Sequence, residues 1–66
     1  MIHPVVQGLE QYRLGRKLNQ AEMATLIGVS QATYSRWVKG ERTPQWDTLQ
    51  RVRKSIPDLP DSLFLP

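Results

Sequence analysis

QAEMATLIGVSQATYSRWVK, residues 20–39, is the stretch whose reading decides the fold of this chain. Two short amphipathic segments flank Gly28-Val29-Ser30, the arrangement of a helix-turn-helix. Asn19 with Glu22 three positions on matches a capping box, with Asn in place of Ser or Thr, so a helix is expected to begin at Gln20. Gly28 supplies its stop, because a left-handed backbone costs glycine nothing. Ser30 is the natural N-cap of the second helix, and Lys39-Gly40 ends it. Met23 and Ile27, with Leu26 beside them, are expected to face inward from the first segment. Tyr34, Trp37 and Val38 form the inward stripe of the second. Ala24 must be small because the second helix crosses close above it, and Val29 plugs the corner. Each feature is common by chance; the whole set at fixed offsets is specific. The opposite edge of the second segment carries Gln31, Ala32, Ser35, Arg36 and Lys39, short and polar groups suited to reading base edges in a major groove.

Outward from this stretch the signals weaken. His3-Pro4 suits the start of a helix. Val5, Leu9 and Tyr12 then recur at helical spacing, predicting a helix over residues 5–17. Gly8 and Gly15 weaken it by about 1 kcal/mol each relative to Ala. Downstream, Pro44 leads into a helix from residue 45 or 46 to residue 55. Trp46, Leu49, Val52 and Ile56 are expected to form its apolar face. Pro57 and Pro60 break that helix, leaving room in the tail, residues 57–66, for one short turn near residues 61–64. Leu59, Leu63, Phe64 and Leu65 make this tail too apolar for an indifferent terminus. They either form a self-association surface or fold back onto Trp46 and Leu49.

The size of the chain narrows the function. Its 66 residues make one domain, residues 1–66, with little room for an enclosed active site. Nine Lys and Arg against six Asp and Glu give a net charge of +3, which matters on a small body if it gathers on one side. There is no cysteine, hence no disulfide framework, and a reducing cytoplasm is compatible. No apolar run approaches the length of a membrane span, and MIHPVV lacks the features of a signal peptide. No Ser-His-Asp set, metal-ligand spacing or phosphate loop is present, so neither an enzyme nor a cofactor, metal or small-molecule substrate is expected. Asp58 and Asp61 read as turn and cap residues. Tyr34, Trp37 and Trp46 read as core rather than as stacking platforms, and His3 as inert. Arg51, Arg53 and Lys54 read as a solvated face near a helix C-terminus.

Over roughly residues 5–56 the chain resembles the lambda-repressor-like domains of phage Cro and repressor proteins, the XRE-type helix-turn-helix family. The resemblance rests on Arg13, on Leu18-Asn19-Gln20-Ala21-Glu22-Met23-Ala24, on Gly28-Val29-Ser30-Gln31, and on Ser35, Gly40 and Pro44. It implies an all-α, four-to-five-helix DNA-binding domain. It also implies that Gln20 holds a phosphate and braces Gln31, and that Gln31 reads adenine. A Gln amide has one donor and one acceptor to match adenine N6 and N7. Ala32 would then meet a thymine methyl, Ser35 would face the groove, and Arg36 would fork onto guanine O6 and N7. Asn19, Lys39, Arg42 and Thr43 would flank the groove on phosphates, with the backbone N–H groups opening the first segment as a further anchor.

Three positions depart from the family pattern. Val38 stands where the family places the Glu that pairs with Arg13. Lys17 stands where the family often has Gly, and a left-handed Lys17 would be strained by about 1 kcal/mol. Pro57 and Pro60 cut down the usual fifth helix and with it the common dimer contact. The expected function is sequence-specific binding of double-stranded DNA by a transcriptional regulator, a Cro-type repressor in a bacterial cytoplasm. A domain this small reads few base pairs, so a homodimer on an inverted repeat is expected. The rivals are an antitoxin-like interaction module, marked by an apolar tail that stays exposed, and a binder of structured RNA.

Overall fold

A computed structural model of the chain describes residues 2–64; Leu65, counted above in the apolar tail, lies outside the described residues. Four helices follow one another: α1 (Pro4–Gly15), α2 (Gln20–Ile27), α3 (Gln31–Lys39) and α4 (Trp46–Ser55), with a 3₁₀ turn at Asp61–Phe64. The architecture is all-α, as expected.

Local chemistry explains the helix limits. His3 is not inert: its Nδ1 accepts from the Val5 N–H at 3.1 Å and caps α1, with Pro4 in the first turn. The α2 capping box is complete, Glu22 N donating to Asn19 Oδ1 at 2.8 Å and Asn19 N to Glu22 Oε1 at 2.9 Å. Gly28 (φ 77°) closes α2, and Val29 N reaches back to the Ala24 carbonyl at 2.9 Å. The same closure recurs after α3, where Gly40 is left-handed and Glu41 N donates to Arg36 O at 2.9 Å. Lys17 takes that conformation after α1 (φ 58°), with Leu18 N donating to Arg13 O at 3.0 Å. Gly15 is the last helical residue of α1.

The core is assembled from all four helices and the 3₁₀ turn: Val5, Val6 and Leu9; Met23, Ala24 and Ile27; Tyr34 and Trp37; Val52 and Ile56; and Phe64. Ala24 is 1% exposed, consistent with a position too close to its neighbours for a larger side chain. Val29 is half-buried and packs against the core from the turn. Two expectations need correction. Trp46 is 67% exposed, not core. Steps of i+3 drift by about 60° around a helix, so a residue two such steps before Val52 has turned out of the stripe. Leu26 faces solvent as well. Val38 and Tyr12 are half-buried and pack against the core, on the inward side expected of them.

The described part of the tail folds back, but not onto Trp46. Leu63 and Leu59 lie over Gly8 of α1, so closely that a β-carbon there would sit 2.6 Å from Leu63 Cδ1. Phe64 is buried. Gly8, a weakness for helix propensity, is the gap through which the tail reaches α1.

Arg13 lacks its expected Glu on α3 and finds acceptors nearer by. Its Nε donates to Glu10 Oε2 at 3.0 Å, one turn earlier, and its Nη1 to the Leu18 carbonyl at 3.0 Å. The Glu10 hydrogen bond, opposed by partial burial, raises the Arg13 pKa. Among the described residues the Tyr34 hydroxyl and Glu10 Oε1 are buried and meet no hydrogen-bond partner. Burial, reinforced by the Glu10 charge, pushes the Tyr34 phenol well above its ordinary range, so it stays protonated. Glu10, Arg13 and Tyr34 thus place charge and dipole on the inner side of α3 without loading its outer edge.

Candidate nucleic-acid interface

The residues of α3 divide cleanly by angle. At about 100° per residue, Gln31, Ser35, Lys39, Ala32 and Arg36 fall within about 140° of one another, opposite Tyr34 and Trp37. Gln31, Ala32, Arg36 and Lys39 are exposed and Ser35 is half-buried. Tyr34 and Trp37, 0% and 3% exposed, hold the helix to the core, their rings 6.1 Å apart and tilted at 59°. The outer edge is therefore presented by a rigid inner one. Ser30 fixes its beginning, its Oγ accepting from Thr33 N at 3.1 Å and donating to Thr33 Oγ1 at 2.8 Å.

The turn beneath α3 is braced from α4. Arg51 Nη1 donates to the Gly28 carbonyl at 3.2 Å, and a β-carbon at Gly28 would sit 3.4 Å from Arg51 Cδ. Arg51 is exposed, as expected, but it is tied to the turn rather than solvated freely.

Beside the C-terminal half of α3 lies a cleft of about 290 Å³ between α3, the loop 40–45 and the start of α4. Arg36, Arg42 and Thr43 line it together with Thr33, Trp37, Gln45 and Thr48, and among the described residues no acidic one does. Three residues singled out in the sequence thus converge there. Thr33, Gln45 and Thr48 were missed: the cleft arises from the loop's return path, which no periodicity reports. Gln45 precedes α4 without a side-chain cap, so the first N–H groups of α4 have no partner from that side chain.

The remaining expected residues sit apart from the cleft. Asn19 is exposed, with Oδ1 committed to the capping box and its amide N–H₂ still able to donate. Gln20 is half-buried. No hydrogen bond joins it to Gln31 among the described residues, so the expected brace is absent in this state. Lys39 is exposed in the last turn of α3.

Six of the nine cations fall into two groups. Arg13 pairs with Glu10, Arg16 reaches Asp58 Oδ2 at 3.2 Å and stacks over Tyr12, and Arg51 holds the Gly28 carbonyl. Arg36, Lys39 and Arg42 have no such partner among the described residues and stand on or beside the outer edge of α3. Among the described residues no helix is long and apolar enough to cross a membrane.

Residues 9–56 match the family described as helix-turn-helix. The chain is also similar to the cryptic phage CTXphi transcriptional repressor RstR of Vibrio cholerae, with 37% identity over 46 residues. That stretch is 70% of this chain but 41% of that protein, so the chain spans less than half the length of this relative. No solved structure matches the chain.

Proposed function

Because this chain belongs to the helix-turn-helix family, we propose that it is a sequence-specific double-stranded-DNA-binding transcriptional regulator, a Cro-type repressor that lays α3 in the major groove. The observation that carries this reading is the division of α3, rigidly held by Tyr34 and Trp37 on one side and open with Gln31, Ala32, Ser35 and Arg36 on the other. Gln31 stands at the N-terminus of α3, where a helix entering the groove end-first meets base edges. Arg42, Thr43 and Lys39 take phosphates on one side, and Asn19 and Gln20 on the other, with the first N–H groups of α2 as anchor. Arg36 lines the cleft as well as the outer edge, so it serves base or phosphate according to its rotamer.

The similarity to a phage transcriptional repressor supports repression as the regulatory sign. One such domain reads few base pairs, so the working unit is two copies on an inverted repeat, acting in the bacterial cytoplasm by covering a promoter. The antitoxin-like alternative called for an apolar tail left exposed. Leu59, Leu63 and Phe64 pack inward instead, which favours the DNA reading.

Selection of bound sites from random duplexes tests the proposal. Enrichment of a short motif, repeated in inverted order at about one helical turn, is the expected result. Recovery of unenriched sequence even in dilute salt, or preference for structured RNA over duplex DNA, would overturn it.

A further inference from the structure

The side of α4 turned away from the core is chemically lopsided along its length. Trp46, Asp47, Gln50, Arg53 and Lys54 fall within about 120° of one another at helical spacing. Trp46 is 67% exposed, Asp47, Arg53 and Lys54 are exposed, and Gln50 is half-buried. The acidic residue lies in the first turn of the helix and the basic pair in the last. Asp47 and Lys54 have no hydrogen bond or ion pair among the described residues. Thr48, the α4 residue that lines the basic cleft, leaves the helix on another side, and Gln45 lies before its first turn. This face is therefore separate from the one assigned to the duplex.

We propose that this face pairs with a second copy of the chain, two α4 helices lying antiparallel about a twofold axis near Gln50. A twofold contact requires a surface that complements itself after half a turn. A helix acidic at one end and basic at the other meets that condition only when antiparallel: Asp47 of each copy then faces Lys54 of the other, and the pairing occurs twice. Side by side in parallel, the same helices would set like charges together. At the centre, the Gln50 amide carries both a donor and an acceptor and complements its own image. Trp46 of each copy lies against the basic last turn of the other, where the indole face attracts a cation and its apolar area leaves water. Asp47 argues against giving this face to phosphates. The inference deepens the inverted-repeat reading, which supplies the expectation of two copies.

Sedimentation equilibrium of the full chain without DNA, on wild type and on D47K, K54E, W46A and the exchanged double variant D47K/K54E, tests the pairing. Wild type is expected to dimerise reversibly. Each charge reversal should weaken dimerisation by about tenfold or more, since like charges then meet twice. W46A should do so by a similar factor, as loss of a large aromatic anchor buried on binding does. The double variant should return to within about threefold of wild type, because the exchange restores complementarity. Circular dichroism should report the same helix content throughout. A wild type that stays monomeric, or a double variant no better than the single ones, would overturn the pairing. So would a monomer whose tryptophan fluorescence shifts on adding duplex and loses that shift in W46F, which would give the face to nucleic acid. The two readings separate on a selected duplex carrying one half-site. Normal binding there without self-association sinks the pairing and leaves the DNA reading intact. Self-association with charge rescue but no duplex binding does the reverse.

Discussion

Trp37 and Trp46 are the two tryptophans of the chain, and their fates differ: the first is 3% exposed in α3, the second 67% exposed in α4. Both begin or continue an amphipathic run, and the same stripe argument placed both in the core. The argument holds for α3, where Tyr34 and Trp37 lie three apart between a Ser30 cap and a Gly40 stop. It fails for α4, whose apolar residues at i, i+3 and i+6 drift around the helix and whose N-cap, Gln45, gives no side-chain bond. Tight local signals fix a helix and its phase together. Where they are loose, packing partners choose the phase.

The sharpest way to break this comparison is truncation. Trp37→Ala should cost about 3–5 kcal/mol, the range for removing a large buried aromatic. For a 66-residue domain that is most or all of the stability, and thermal or urea unfolding would show it. A loss below about 1 kcal/mol would mean that α3 is not held by its inner side, and the rigid presentation of its outer edge would go with it.

The next effects are on binding and compare the outer edge of α3 with its surround. Gln31→Ala should relax preference at one base pair and cost about 1–3 kcal/mol there. An unchanged sequence preference would count against base reading. Lys39→Ala should weaken binding to all duplexes alike and flatten the salt slope by about one unit. A loss confined to one sequence would move Lys39 from the phosphates to the bases.

Much of the helix-turn-helix was legible because its determinants are neighbours in sequence. Asn19 and Glu22, Gly28, Ser30 and Gly40 each act within about one turn, so the limits of α2 and α3 could be read directly. The outer edge of α3 was legible for the same reason, being periodicity alone. What escaped was set by distant partners. The tail chose Gly8 on α1, a contact visible only once α1 and the tail are side by side. Arg51 was read as solvated until the fold carried it to Gly28. Thr33, Gln45 and Thr48 join Arg36 and Arg42 through a loop path that no pattern encodes. The Glu10 partner of Arg13 is a different case. It stands three residues away, at ordinary helical spacing, but that spacing alone does not decide between a carboxylate, solvent and a phosphate as the acceptor.

The ending of α1 sharpens the comparison between local and distant control. Lys17 is left-handed where Gly28 and Gly40 perform the same closure without a side chain. Lys17→Gly should therefore stabilise the fold by up to about 1 kcal/mol, the relief of left-handed strain less the extra freedom of glycine when unfolded. Urea midpoints at constant slope would measure it. A destabilised variant would mean that the Lys17 side chain contributes a contact that outweighs its backbone strain.

The smallest effect on stability is expected at Trp46, and its smallness is the point. An exposed residue at the first position of a helix contributes little to the folded monomer, so Trp46→Ala should shift unfolding by no more than about 0.5 kcal/mol in dilute solution. The same substitution should raise the dissociation constant of the dimer. Stability that depends on protein concentration in wild type and loses that dependence in W46A would tie the two together, since a partner that binds only the folded state stabilises it by mass action. A large loss in dilute monomer would instead show that Trp46 packs within its own chain. The contrast with Trp37 would then collapse, because both tryptophans would be holding the same core.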